Sequence, residues 1–102
     1  MATRKLVAFS TKKSIEFYPC ERLAYIGGGS PYCFWTVSVD NAIRNIKEKK
    51  EEYYILSVNN RELEIIVAVQ EGREFLKTET DSDTPDNLLG LPDFPLSYYY
   101  EG

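Results

Sequence analysis

The sequence predicts an α+β domain: a small antiparallel sheet, mostly meander, with one amphipathic helix packed on one face and a leucine clasp closing it. Three observations carry that expectation. Apolar-rich runs between Tyr53 and Thr78 are separated by turn residues, one helical stripe lies just before them, and short β-like runs fill the first third of the chain. A chain of 102 residues is expected to be a single domain, 1–102. A domain of this size buries only about 60–65% of the surface its unfolded chain exposes, so its core is thin.

Taken in order, "KLVAFST", "SIEFY" and "LAYIGG" read as strands, with Lys12-Lys13 as a turn between the first two. "GGGSPY" (Gly27 to Tyr32) reads as a loop and "CFWTV" (Cys33 to Val37) as a further strand. The helix follows. Ser38 is placed to cap it and Asp40 to favour its first turn, while Val39, Ala42, Ile43 and Ile46 form one apolar stripe at i, i+3, i+4 and i+7. "KEKKEE" is polar all round and is expected to carry the helix end into solvent. "YYILSV", "ELEIIVAVQ" and "REFLKT" then form the meander, turned by Asn59-Asn60 and Glu71-Gly72. In the central strand Leu63, Ile65, Val67 and Val69 share the face meant for the helix. Ile66 and Ala68 leave the other face partly apolar, which asks for cover from the tail "LSYYYEG" or from a second copy of the chain.

The last distinctive stretch is "TDSDTPDNLLGLPDFP". Asp81, Asp83 and Asp86 alternate with Ser, Thr and Pro, a pattern of side-chain-to-backbone turns. Asp86 or Asn87 is placed to cap a short helical turn that presents Leu88, Leu89 and Leu91 before Pro92 ends it. The expectation is a clasp that seals the sheet, with Asp86 and Asn87 as the polar residues able to point into a pocket instead.

Composition excludes several chemistries. There is no histidine, which removes Ser-His-Asp and Cys-His nucleophile pairs, most catalytic zinc sites and the commonest general base. Cys20 and Cys33 lack a CxxC spacing, so neither a zinc knuckle nor a thioredoxin-like pair is expected, and Cys33 between Tyr32 and Phe34 reads as a small buried hydrophobe. An EF-hand begun at Asp81 would have no glycine at its sixth position and Pro92 where its glutamate belongs. No apolar run approaches the ~20 residues of a membrane helix and no signal-peptide core is visible, so a reducing cytoplasm is expected. Residues 1–50 carry nine Lys/Arg against four Asp/Glu, and residues 51–102 carry three against twelve. A basic nucleic-acid-binding face is not expected from that balance; two halves facing one another, or oppositely charged faces of two copies meeting, both fit it.

Four features together resemble a family of short bacterial proteins, the domain-of-unknown-function family thirty-eight ninety-two. They are the strand and glycines of "IGGGS", Trp35 before the helix, Ala42-Ile43 with Ile46, and the closing pattern T-x-x-D followed by D-N-L-L-x-L-P in "TETDSDTPDNLLGLP". The resemblance covers about residues 5–92 and leaves the aromatic tail 93–102 outside. A cysteine often follows the final proline in relatives; Asp93 stands here, so no role for that cysteine carries over. The resemblance implies fold and boundaries, and no activity, cofactor or partner.

On the residues themselves the expected function is a non-catalytic binding module that sequesters a small anionic or nucleotide-like signal molecule or inhibits a protein partner. Its candidate ligand-binding residues are Tyr25, Gly27, Gly28, Gly29, Tyr32, Trp35, Asp86 and Asn87. The glycines would offer backbone donors, Trp35 and Tyr32 a stacking face, and Arg22, Lys12 or Lys13 the countercharge. No cofactor or metal is expected. One alternative is a structural protein that assembles with itself into a homo-oligomer through its tyrosine tail; another is an Asp/Glu acid–base enzyme using Glu79, Asp81 and Asp86.

Overall fold

A computed structural model describes residues 2–13, 22–30, 33–57, 59–81 and 86–93. The expected strand at "SIEFY", the tyrosine tail, and Asp83 and Pro85 lie outside these. The described residues form β1 (Thr3–Leu6), β2 (Phe9–Lys12), β3 (Leu23–Ser30), β4 (Cys33–Ser38), α1 (Val39–Lys47), β5 (Glu51–Leu56), β6 (Glu62–Gln70), β7 (Arg73–Thr78) and α2 (Asp86–Leu89). The α+β class holds, but the single sheet does not. There are two: a four-stranded sheet in the order β1-β5-β6-β7 and a three-stranded sheet in the order β2-β3-β4.

The division arises within the expected single strand "KLVAFST". Val7 N–H still donates to Tyr54 O at 2.8 Å, whereas Ala8 N–H donates to Gly27 O at 2.8 Å. The chain therefore leaves one sheet and enters the other between adjacent residues. Gly28 makes the crossing sterically feasible, because a Cβ there would lie far inside contact with the carbonyl oxygen of Leu6. Upstream of the crossing, β1 pairs with β5 in parallel, with Lys5 beside Tyr53 and Leu6 beside Tyr54.

The meander is antiparallel as expected, with β6 and β7 at the expected bounds and β5 beginning two residues early. Glu71 and Gly72 both take positive φ, 52° and 79°, the backbone of a tight hairpin turn. Ser38 caps α1, its hydroxyl accepting from Asn41 N–H at 3.2 Å. The helix stops at Lys47 rather than running on through "KEKKEE": Lys49 turns to φ 59° and Lys50 N–H reaches back to Asn45 O at 2.9 Å. That left-handed turn ends the helix as a glycine would, at the cost of a non-glycine residue in that region.

The core lies between the sheets and α1. It gathers Val7, Leu23, Ile26, Ala42, Ile43, Tyr53, Ile55, Leu63, Ile65, Leu76 and Leu88. Leu23 reaches it through a one-residue register slip between Thr11 and Lys12 in the β2–β3 ladder. Of the expected β6 stripe, Leu63 and Ile65 are buried and Val67 packs against the core, but Val69 is 65% exposed. Nine helical residues span about 14 Å, whereas nine strand residues span about 30 Å, so α1 cannot cover the whole of β6.

The clasp does join the body, and it joins both sheets. Leu88 is fully buried, and Leu89 and Leu91 pack on the core. On the β2 side the Ser10 hydroxyl donates to Leu88 O at 2.7 Å and Ser10 N–H to Pro92 O at 3.0 Å. On the β7 side the Asn87 amide donates to Thr78 Oγ1 at 2.8 Å and Thr80 Oγ1 at 3.2 Å. Asp81 completes the knot, accepting from Thr78 N–H and hydroxyl at 3.0 Å and from Asn87 N–H at 3.3 Å. Among the described residues no helix is long and apolar enough to cross a membrane.

Candidate functional site

Of the ligand-binding residues expected from the sequence, the structure brings Gly27, Gly28, Gly29 and Trp35 together on neighbouring strands, and sets Tyr25 on the opposite face and Asn87 in the clasp. Gly27, Gly28 and Gly29 lie in β3, not in a loop; each is paired across to β4, opposite Thr36, Trp35 and Phe34. Backbone donors that serve a ladder are not available to an anion. The pairing also separates the aromatics: Trp35 lies on the same side of the sheet as Gly28 and Ile26, towards the core, while Tyr25 is on the opposite side and 48% exposed. Tyr32 and the side chain of Asp86 are outside the described residues, and Asn87 belongs to the clasp. Of the expected countercharges, Lys12 is also committed there, bonding Ser10 O at 3.1 Å and the carbonyl of Leu91. Cys33 is a free thiol and exposed, not buried, because it is the first residue of β4 and sits at the sheet's end opposite Ser30.

Trp35 instead meets groups from the other sheet. Its ring lies 5.9 Å from that of Tyr53, tilted by 32°, and the ammonium of Lys5 lies 4.8 Å from its centroid. Lys5 also pairs with Glu51 at 3.2 Å, the two side chains being 30% and 25% exposed. Tyr53 is fully buried; its hydroxyl donates to Glu51 at 2.5 Å and accepts from the Asn45 amide at 3.0 Å. This is a continuous polar chain along the seam between β1/β5, β4 and α1. Burial, reinforced by the bond to Glu51, pushes the Tyr53 hydroxyl up to about 12. The bond from Tyr53 holds the Glu51 carboxyl below the usual carboxylate range; burial opposes it and Lys5 assists. Lys5 escaped sequence reasoning because no local pattern announces that β1 pairs with a strand 48 residues later. Its alternation within "RKLV" was the only signal, and it needs the parallel register to become meaningful.

Two further surfaces lie apart from the seam. A groove of about 550 Å³ between α1 and β7 is lined by Asp40, Ile43, Arg44, Lys47, Glu48 and Glu74, with Lys47 and Glu74 paired across it at 2.8 Å. It is open and mostly charged, unlike the apolar clefts that enclose small molecules. On the outer face of the four-stranded sheet, Arg4 lies 3.9 Å over the Tyr54 ring and reaches Glu62 at 2.9 Å and Glu64. Leu6, Leu56 and Ile66 flank it at 37–44% exposure. Among the described residues no group of three or more His, Cys, Asp or Glu is arranged to hold a metal ion.

No curated protein and no solved structure matches the chain. Residues 18–92 match the family model described as Protein of unknown function (DUF3892). That span takes in the glycine strand, Trp35, the capped helix, the meander and the whole knot of Thr78, Asp81 and Asn87. The chain belongs to this family.

Proposed function

We propose that this protein is a non-catalytic binding module that takes a small anionic, nucleotide-like molecule at the seam between its sheets, against Trp35 and Lys5. The observation that carries the reading is the Lys5 ammonium beside a half-buried indole. Such a pair offers a planar ring its stacking face and an anion its countercharge from one place. The ligand would compete with Glu51 for Lys5, and Asn45 would supply an amide at the margin. The direction of the titration shifts supports a module without chemistry: Glu51 is held low and Tyr53 high, so both move away from the range in which a general acid or base works at neutral pH. A reducing cytoplasm, where the exposed Cys33 thiol stays reduced, suits the same reading.

The test is a melting scan against nucleotides, cyclic nucleotides and sugar phosphates. Ligand at 100 times its dissociation constant stabilises a fold by about 2.7 kcal/mol, a rise of about 10 °C or more for a domain of this size. Trp35→Ala and Lys5→Ala, each confirmed folded, should abolish the shift. A shift unchanged in both variants would place the ligand elsewhere. A second reading, inhibition of a protein partner or self-assembly through the outer face, is favoured by Leu6, Leu56 and Ile66 around the Arg4–Tyr54 pair. A scan without shifts, together with a partner lost on Leu56→Asp, would select it.

A further inference from the structure

Lys5 and Glu51 are ion-paired at the seam, so a ligand cannot take one without changing the other. The Lys5 ammonium stands over the Trp35 ring, 4.8 Å from its centroid, and 3.2 Å from Glu51 Oε1. Stacking on the indole under that ammonium means moving it aside, and an anionic group on the ligand is what draws it. Glu51 then loses its cation while its side chain is only 25% exposed. A partly buried carboxylate left short of donors is costly, so a molecule that takes Lys5 binds well only if it returns hydrogen-bond donors to Glu51. Tyr53 does not fill that need alone, since its hydroxyl supplies one bond, to Oε2. The same bond holds the Glu51 carboxyl below the usual carboxylate range, so at neutral pH both of its oxygens accept and neither donates.

We propose, resting on the seam reading above, that the molecule taken there is a guanine nucleotide, with its base on Trp35, its phosphate on Lys5 and its pairing edge on Glu51. Guanine alone among the common bases carries two adjacent donors, N1–H and N2–H, on that edge, and a carboxylate accepts them as a pair. Adenine turns an acceptor, its N1, towards the same oxygens. Hypoxanthine keeps the N1–H and lacks the second donor. Stacking a base on an aromatic ring and reading its pairing edge is a general way for a protein to tell nucleotides apart. The spacing suits it, because one ammonium touches both ring and carboxylate. Glu51 therefore lies at the rim of the stacking face, where a base edge comes within a hydrogen bond of about 2.9 Å. The source is a free nucleotide and not a strand, since a net charge of −4 disfavours a polyanion.

Trp35 is the chain's only tryptophan, so its fluorescence, excited at the red edge of its absorption, reads binding at this place. The experiment titrates guanosine, inosine and adenosine monophosphates into the full-length protein. The guanosine form should bind about 10- to 100-fold tighter than the adenosine form, the discrimination a bidentate pair gives, with the inosine form between them. Glu51→Gln keeps an oxygen for Tyr53 but cannot accept both guanine donors, and should close that gap. Equal affinities for the guanosine and adenosine forms in the wild type overturn the guanine assignment and leave the seam reading standing. A preference that survives Glu51→Gln overturns Glu51 as the group that reads the base. No response to any of the three overturns both the assignment and the seam reading. The wild-type series decides the assignment without depending on the folding of Glu51→Gln.

Discussion

Replacing Tyr53 by Phe removes one hydroxyl from a fully buried ring and little else. That hydroxyl donates to Glu51 and accepts from Asn45. A bond to a charged group contributes about 1.5–3 kcal/mol and a neutral one about 1. Glu51 and Asn45 are both partly exposed, so water recovers part of what they lose. The net cost should be about 2 kcal/mol, a fall in melting temperature of about 8–16 °C, read by urea and thermal unfolding in parallel. The variant should also change the pH profile at both ends. Tyr53 titrates higher folded than unfolded, so its contribution is complete below about pH 10 and is lost as pH rises towards about 12. Glu51 titrates lower folded than unfolded, so its contribution is present above the ordinary carboxylate value and is lost as pH falls through the folded one. In Tyr53→Phe the alkaline loss assigned to this residue should vanish and the acid loss should begin at lower proton gain from Glu51, hence be shallower. A variant within 0.5 kcal/mol of wild type, with an unchanged alkaline limb, would refute the reasoning.

Gly28→Ala should be among the most damaging single-methyl additions in the chain, costing about 3 kcal/mol or more, because the new Cβ meets the backbone carbonyl of Leu6 and not a side chain that can swing away. Chemical denaturation measures it, and Gly72→Ala, with nothing within 4 Å but φ 79°, is the control for backbone strain alone. Ser38→Ala should cost about 1 kcal/mol by removing the cap on Asn41 N–H, and Ser38→Asp should restore it; equal stability of all three would mean that the cap is idle.

Much of the fold was legible because its signals are local. The β6 and β7 bounds followed from alternation and turn residues, and the α1 cap from Ser38 just ahead of the apolar stripe, with Asp40 in the first turn. The clasp was legible as a polar turn feeding three leucines. What stayed hidden depends on pairing between distant residues. Nothing in "KLVAFST" marks Val7-Ala8 as a crossing, and its alternation misleads, because Leu6 is exposed on the outer face while Ser10 is buried. The glycines looked like a loop because strands disfavour glycine; here one is required by close backbone approach, a reason that lies in Leu6, more than twenty positions earlier. The candidate site was half legible: Trp35 was singled out, whereas Tyr25 fell on the opposite face and Lys5 entered through a parallel register that only the fold reveals.

The crossing at Val7-Ala8 also has a consequence for how the chain is made. β1 and the outer edge of β2 find their partners late: β1 waits for β5, and Ser10 waits 78 positions for Leu88. During synthesis β1 is therefore unpaired until β5 has been made, and the outer edge of β2, whose inner edge pairs with β3, stays open until Pro92 has left the ribosome. Closure is the final event, and long-range pairing of this kind is slow relative to local structure. In the interval that outer edge is an unpaired strand edge, the kind of surface through which a partly folded chain associates with its neighbours.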